Sequence, residues 1–278
     1  MDPGNRLVKL LKEQPLRLFA RKLFSVLPVS ASTRGLWDIS PRPNYLSGVL
    51  LAAEQAHEEG IAAISAVEFG VAGGNGLVAL QEEAEAVERE TGVQIRVFGF
   101  DNGPGGLPEF IGDYRDHPDA WQPGDYPMDE AKLRARLAAR TTLILGNVRE
   151  TVPAFVRDAD APPIGFISVD LDLYSSTTLA LRILTLPGRR LLRRTFLYFD
   201  DIDQVFTHRF AGELLAIDEF NKANSSIKID RLRGFNVNRP FPEKPYLRMM
   251  YVAHDLEAIA RHRPEQDRGP LMTHVLRG

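Results

Sequence analysis

The chain has 278 residues, 44% hydrophobic and 26% charged, enough to bury the core of one large α/β domain or two smaller ones. It contains no cysteine, which excludes disulfides, thiolate zinc sites and a cysteine nucleophile and suits a reducing, cytoplasmic setting. The net charge of −3 gives no reason to expect nucleic acid as a partner, and no apolar stretch approaches the length of a membrane span.

Charge is nevertheless uneven. Residues 1–36 hold seven Lys/Arg against Asp2 and Glu13, a local charge of +5, so the rest carries −8. Leu7, Leu10 and Leu11, then Leu16, Phe19, Ala20, Leu23, Phe24 and Leu27, have helical spacing in two pieces, punctuated by Pro15 and ended near Pro28. Lys9, Lys12, Arg17 and Arg21 interrupt every apolar run, so no signal-peptide core is expected. A basic amphipathic arm of this kind suits a membrane surface or a protein face. The break at Pro15 favours protein, and a homo-oligomer built through the arm is expected. Residues 28–43, rich in Pro and Ser, read as a connector, so an arm and connector over 1–43 precede a domain over 44–278.

From Asn44 onward helix and strand alternate. Asn44 can cap a helix through Glu59, with Gly60 as its stop. A strand over 64–69, a glycine-rich turn, a helix to Glu90 and a strand over 94–100 follow. After a long Gly/Pro/Asp loop over 102–128 comes a helix near 129–139. Further strands are predicted over 142–145, 164–169, 195–199, 226–232 and 246–253, and helices over 149–157, 175–185 and 210–223. This alternation predicts a doubly wound, mostly parallel α/β sheet with helices on both faces. The short link from Gly234 to Lys244 allows an antiparallel hairpin at one edge.

The turn Glu68-Phe69-Gly70-Val71-Ala72-Gly73-Gly74-Asn75-Gly76 lies between a strand and a helix, where glycines allow close approach of backbone to a ligand. Two nucleotide readings compete. Gly74-Asn75-Gly76-Leu77-Val78-Ala79 formally fits the dinucleotide pattern GxGxxA of a nicotinamide-dependent oxidoreductase, but starts four residues past Gly70. Glu68-x-Gly70-x-x-x-Gly74 better suits S-adenosylmethionine, whose ammonium and sulfonium are cationic. Asp101, ending the next strand, can accept the ribose hydroxyls of an adenosine, or can simply form the turn before Asn102-Gly103. Asn147, after the third strand, stands where an adenine is met.

Two apolar runs end in acidic doublets: Ile167-Ser168-Val169-Asp170-Leu171-Asp172 and Phe196-Leu197-Tyr198-Phe199-Asp200-Asp201. Buried parallel strands read this way when they deliver side chains to the rim of a sheet. Four carboxylates at one rim repel unless a cation sits among them, and oxygen ligands favour Mg²⁺, Ca²⁺ or Mn²⁺. The competing reading makes Asp201 or Asp203 the cap of the next helix.

With these pieces in order, the segments VEFGVAGGNG, FGFDNGPGGLPE, LILGNVRETVP, ISVDLDLYSSTTLAL and YFDDID resemble the macrocin-type (TylF-like) S-adenosylmethionine-dependent O-methyltransferases over about residues 65–203. That resemblance implies a class I methyltransferase, Rossmann-like sheet of seven strands with the last pair reversed. It implies a Mg²⁺-dependent enzyme acting on a small-molecule hydroxyl, often of a natural-product sugar. It makes Asp170, Asp200 and Asp201 the metal ligands, Asp172 the general base, and Glu68, Gly70, Gly74 and Asp101 the cofactor contacts, with Asn147 beside them. Departures from the pattern are Leu171 between the first pair of acids, Arg189-Arg190 entering the fifth strand, and Ile202 after the second pair. They bear on the substrate and leave open a cofactor-binding protein without turnover. His208 is an alternative base, and the loop 102–128, with Tyr114, Trp121 and Tyr126, is either a lid or an ordinary excursion.

Overall fold

The computed structural model describes residues 15–262, so Leu7, Leu10 and Leu11 lie outside the described residues. Helix α1 (Leu16–Phe24) starts directly after Pro15. Its arginines face the body of the protein: Arg17 donates to the Pro240 carbonyl at 3.0 Å and Arg21 to that of Asp38 at 2.8 Å. Both guanidinium groups lie over the Phe241 ring, at 5.2 and 5.3 Å. Of the apolar stripe, Ala20 and Phe24 turn inward, Phe24 meeting Trp37 edge to face.

The expected connector over 28–43 is not wholly irregular. It contains α2 (Ala31–Leu36), because the Ser30 side chain accepts the Thr33 N–H and caps that helix. Asn44 does not cap α3 (Pro43–Glu58). Pro43 takes the first helical position, where its fixed φ fits and its missing N–H is not needed, which puts Asn44 inside the helix.

The remaining elements are β1 (Ala63–Phe69), α4 (Asn75–Thr91), β2 (Gln94–Asp101), α5 (Glu130–Arg134), β3 (Thr141–Leu145), α6 (Val148–Arg157), β4 (Ile164–Val169), α7 (Tyr174–Ala180), β5 (Leu191–Phe199), α8 (Gly212–Ala223), β6 (Ile227–Arg231), α9 (Tyr246–Met249), β7 (Met250–Asp255) and α10 (Leu256–Arg261). The sheet has seven strands in the order β3-β2-β1-β4-β5-β7-β6. β7 runs antiparallel to both β5 and β6, while β1 to β5 pair in parallel. This is the class I methyltransferase sheet. The reversed edge separates it from the parallel 3-2-1-4-5-6 sheet of dinucleotide-binding oxidoreductases.

Two predicted boundaries shift for physical reasons. β5 begins at Leu191 rather than 195, absorbing two arginines, because the 5% exposed Arg193 head pairs with Glu59 at 2.6 Å. The segment predicted as strand from 246 opens instead with α9, whose Tyr246 hydroxyl bonds Asp38, and the strand starts at Met250.

Strand alternation divides the core between the two faces of the sheet. Ala66, Val97, Phe166 and Phe196 pack with Leu46, Leu50, Leu77 and Leu80 of α3 and α4. Val67, Phe98, Ile167 and Leu197 pack with Phe155, Ala180 and Phe220 of α6, α7 and α8. The same alternation turns Glu68, Ser168 and Tyr198 toward the α3–α4 face, where Tyr45 waits.

Candidate functional site

Beyond the ends of the parallel strands the ladder continues for one residue each. Gly70 N–H donates to Phe100, Asp170 to Phe69, Asp200 to Val169 and Gly146 to Asp101, at 2.9–3.0 Å. These bonds set Asp101, Gly70, Asp170 and Asp200 in a row along one rim, over the β1/β4 position where the strand order reverses. Ligands of open α/β sheets bind at such a reversal. A cavity of about 460 Å³ lies there, a size proper to a small-molecule site. Its walls include Gly70, Asp101, Asn147, Asp170, Asp172, Asp200 and Asp201 among the expected site residues.

On the β1–β3 side, Asp101 braces the glycine-rich turn. Its Oδ2 accepts the N–H groups of Val71 (2.9 Å) and Ala72 (2.8 Å), and its Oδ1 accepts that of Gly103 (2.6 Å). The turn-forming role is therefore real, and the carboxylate still lines the cavity. Gly70 has φ +83° and stands against β4: a Cβ there would come within 1.6 Å of the Asp170 carbonyl oxygen. Asn147 caps α6 through the Arg149 N–H at 2.9 Å.

Glu68 and Gly74 are not on the cavity wall. Gly74 opens α4 with φ +81° and abuts Leu133. Glu68 is 1% exposed beneath the turn, where its Oε1 accepts the Tyr45 hydroxyl at 2.6 Å and its Oε2 has no partner. Burial pushes its carboxyl up to about 8, against the opposing pull of the Tyr45 hydrogen bond and Arg42.

On the β4–β5 side the carboxylates converge. One oxygen from each of Asp170, Asp172 and Asp201 lies within 4.8 Å of the others. Asp172 holds a left-handed backbone, φ +60°, uncommon for a residue with a side chain, and its N–H donates to Asp201 Oδ2 at 3.2 Å. Asp200 sits at the same rim, but its Oδ1 accepts the Tyr198 hydroxyl at 2.6 Å. Neither doublet caps a helix: α7 and α8 begin without a side-chain cap, and Asp203 pairs with Arg248.

Burial first, then the neighbouring carboxylates, raises the pKa of this group. Asp172 is pushed up to about 8 and Asp201 to about 6, while Asp170 is raised well above the usual range. Behind them, Glu213 is fully buried and accepts the Asp201 N–H at 3.0 Å. Burial, then Asp201, raises it well above its ordinary value. The Tyr126 hydroxyl, on the facing loop, is pushed up to about 12 by burial and then by Asp172 and Asp201.

The loop 102–128 is packed, not a free excursion. Asp116, fully buried, accepts the Ser175 N–H and hydroxyl and the Ile111 N–H at 2.8–3.0 Å. Trp121 meets Phe206, from the loop after β5, edge to face at 5.7 Å. Trp121 and Tyr126 line the cavity; Tyr114 is 63% exposed and does not. His208 lies off the cavity wall, exposed, edge to face with His117 at 5.2 Å.

Sequence reasoning missed Tyr45, Tyr198, Gln204 and Glu213. Tyr198 sits two residues before an acid on the same strand, a signal that was available. Tyr45 and Glu213 are brought in by tertiary packing from distant helices and carried none.

The chain matches no protein-family model and no curated protein. Among solved structures it is similar to CalS11, a calicheamicin methyltransferase, at 21% identity over 92% of this chain and 93% of that one, with a TM-score of 0.50. It is also similar to the O-methyltransferase NovP, at 18% identity over 65% of this chain and 72% of that one, with a TM-score of 0.47. The first of these likenesses is one of fold.

Proposed function

We propose that this protein is an S-adenosylmethionine-dependent O-methyltransferase acting on a hydroxyl of a small molecule, assisted by a divalent cation, Mg²⁺ by preference. The observation that carries the reading is the meeting of the Asp170, Asp172 and Asp201 oxygens at the switch-point cavity of a methyltransferase-type sheet. The shared fold with a calicheamicin methyltransferase supports a natural-product hydroxyl as the acceptor.

The residues fit both groups. Gly70, whose missing Cβ leaves room at the strand end, and Asp101 and Asn147 beside it would hold the adenosine portion. The half-buried Asp170 and the buried Asp201, the latter braced by Glu213 and Gln204, would offer oxygen donors suited to a hard cation, with Asp172 close beside them. When bound, the cofactor supplies an electrophilic methyl group and the cation supplies positive charge that orients and acidifies the acceptor hydroxyl.

The chain's own part is placement and proton removal. Asp170 and Asp201 would hold the cation, with Asp200 held next to them by Tyr198. Asp172 would take the hydroxyl proton: beside a bound dication its own pKa is low, so it accepts only from a hydroxyl that the cation has acidified. Trp121 and Tyr126 line the cavity and would wall its acceptor side.

Calorimetry provides the test. S-adenosylhomocysteine is expected to bind and NAD is not. Mg²⁺ alone is expected to bind the wild type and to fail to bind Asp170→Asn. With an accepted substrate, Asp172→Asn is expected to keep Mg²⁺ affinity and lose most of kcat. Loss of Mg²⁺ binding in Asp172→Asn would make Asp172 a ligand, not a base. Full turnover in excess chelator refutes the metal-assisted mechanism.

A further inference from the structure

On the proposed reading of the site as that of an O-methyltransferase, on which this rests, we infer that its acceptor has an apolar body and carries no anionic group. A phosphate-bearing acceptor, such as a nucleotide-linked sugar, is thereby excluded.

The charge on the cavity wall is one-sided. Among the described residues, Arg149 is the one cationic side chain that lines it. Arg149 follows Asn147 at the start of α6, beyond the end of β3, which is the end assigned to the adenosine. The acceptor end has acids alone. Asp125, on the facing loop, joins Asp170, Asp172, Asp200 and Asp201 there. After burial, it is Asp201, Asp200 and Asp125 that raise the Asp172 carboxyl, so Asp125 belongs to the same field. A bound dication and the cofactor's sulfonium offset three of these five charges when all are ionised. The remainder is negative, and Glu109 adds to it elsewhere on the wall. Cations of the surrounding loops and helices do not correct this. Arg115 is held by Asp113 at 2.8 Å and Arg248 by Asp203 at 2.7 Å, and neither they nor Arg209 line the cavity. An anionic acceptor would therefore meet like charge with no base to offset it.

The rings define the body of the acceptor. Trp121 meets Tyr126 at 6.0 Å and Phe206 at 5.7 Å, both edge to face, and its backbone N–H donates to the His117 carbonyl at 3.1 Å. It is thus clamped from the two loops that flank the cavity. Tyr126 and Ile111 line the same cavity while 48% and 44% exposed, so they stand where it opens to water. Leu107 and Leu171 continue the apolar lining inward. Rings already fixed by their neighbours offer a large apolar contact with little further ordering. A hydroxyl reaching the carboxylates would leave the rest of the acceptor against Trp121 and Tyr126.

Two probes that differ in one group provide the test: vicinal dihydroxynaphthalene and its ring-sulfonated derivative. Each is titrated by calorimetry into the full chain loaded with S-adenosylhomocysteine and Mg²⁺. The neutral diol is expected to bind at least about 10-fold more tightly than the sulfonate. Trp121→Ala is expected to weaken the neutral diol about 10-fold with S-adenosylhomocysteine affinity kept. Should that variant fail to fold, Tyr126→Ala, at a half-exposed side chain, carries the same expectation. Asp125→Asn keeps an acceptor for the Gln122 N–H and is expected to strengthen sulfonate binding several-fold while leaving the neutral diol as it was. The proposal is overturned by a sulfonate that binds as tightly as the neutral diol, by a loaded protein that binds neither probe, or by ring and Asp125 variants that leave both affinities unchanged. A chain that takes up no S-adenosylhomocysteine or no Mg²⁺ is recognised before any probe is added; that result refutes the proposed function itself, and this reading of the acceptor with it.

Discussion

Replacing Glu68 by Gln should flatten the pH dependence of stability by an amount the structure sets. Glu68 is buried beneath the glycine-rich turn, one oxygen on the Tyr45 hydroxyl and the other without a partner. Burial raises its pKa from 4.5 in the unfolded chain to about 8. Between those values the folded protein keeps a proton that the unfolded chain has lost. The stabilising contribution is therefore fully present below pH 4.5 and lost as pH rises through 8. Its slope is about 1.4 kcal/mol per pH unit, or roughly 5 kcal/mol across the window.

Gln cannot titrate. It keeps an acceptor for Tyr45 and leaves an amide N–H₂ where Oε2 found no partner, which costs about 1–3 kcal/mol at low pH. Wild type should therefore be the more stable form near pH 5, and the two curves should converge or cross toward pH 8. Urea unfolding of both proteins in chelator, at half-unit steps, measures the difference, and the other carboxylates largely cancel between them. Parallel curves would show that Glu68 is ionised in the folded protein and refute the reasoning.

Asp101→Ala should weaken S-adenosylhomocysteine binding by about 1–3 kcal/mol in calorimetry, through loss of a charged acceptor and release of three turn N–H groups; unchanged affinity in a folded variant removes Asp101 from the site. Gly70→Ala should lower stability by more than about 2 kcal/mol in urea unfolding. A left-handed φ of +83° is unfavourable for Ala, and the new methyl group meets the Asp170 carbonyl, so an unchanged midpoint would contradict the close strand contact. Asp38→Ala should cost about 3–5 kcal/mol by stranding the buried Arg239, again by urea unfolding, and a loss under about 1 kcal/mol would mean that the pair is solvated.

Much of this was legible in the sequence because the local signals agreed. Short apolar runs ending in acids, glycines between strand and helix, and regular alternation place β1, β2, β4 and β5 and the rim they share. Boundaries failed where a distant partner decided them. Arg193 enters β5 because Glu59 meets it, and α9 replaces the start of a strand where Tyr246 reaches Asp38. The order of the carboxylates was likewise not legible. Spacing marks Asp170, Asp172, Asp200 and Asp201 alike, and only the fold shows Asp172 joining Asp170 and Asp201 while Tyr198 engages Asp200. Glu68 and Gly74 matched a cofactor pattern, and only the fold shows that one lies under the turn, on the Tyr45 hydroxyl, and the other against Leu133.

The electrostatics of the rim carry one consequence further. The charged groups that act on Asp170 and on Asp172 are all carboxylates, so the cluster holds no internal counter-charge of its own. Two things can neutralise it, protons or a divalent cation, and they compete for the same oxygens. Acid favours protons, and the cluster is then stable without metal. Raising the pH strips them and leaves converging negative charge, which destabilises the metal-free fold and strengthens its hold on a cation. Mg²⁺ affinity should thus rise with pH from 6 to 8, and Mg²⁺ should raise the melting temperature more at pH 8 than at pH 6. Asp201→Asn removes one ligand and one source of repulsion together, so it should be more stable than wild type in chelator at pH 8 and gain nothing from Mg²⁺. A variant that still gains from Mg²⁺, or a wild type whose affinity is flat across that range, would mean that the ion binds elsewhere.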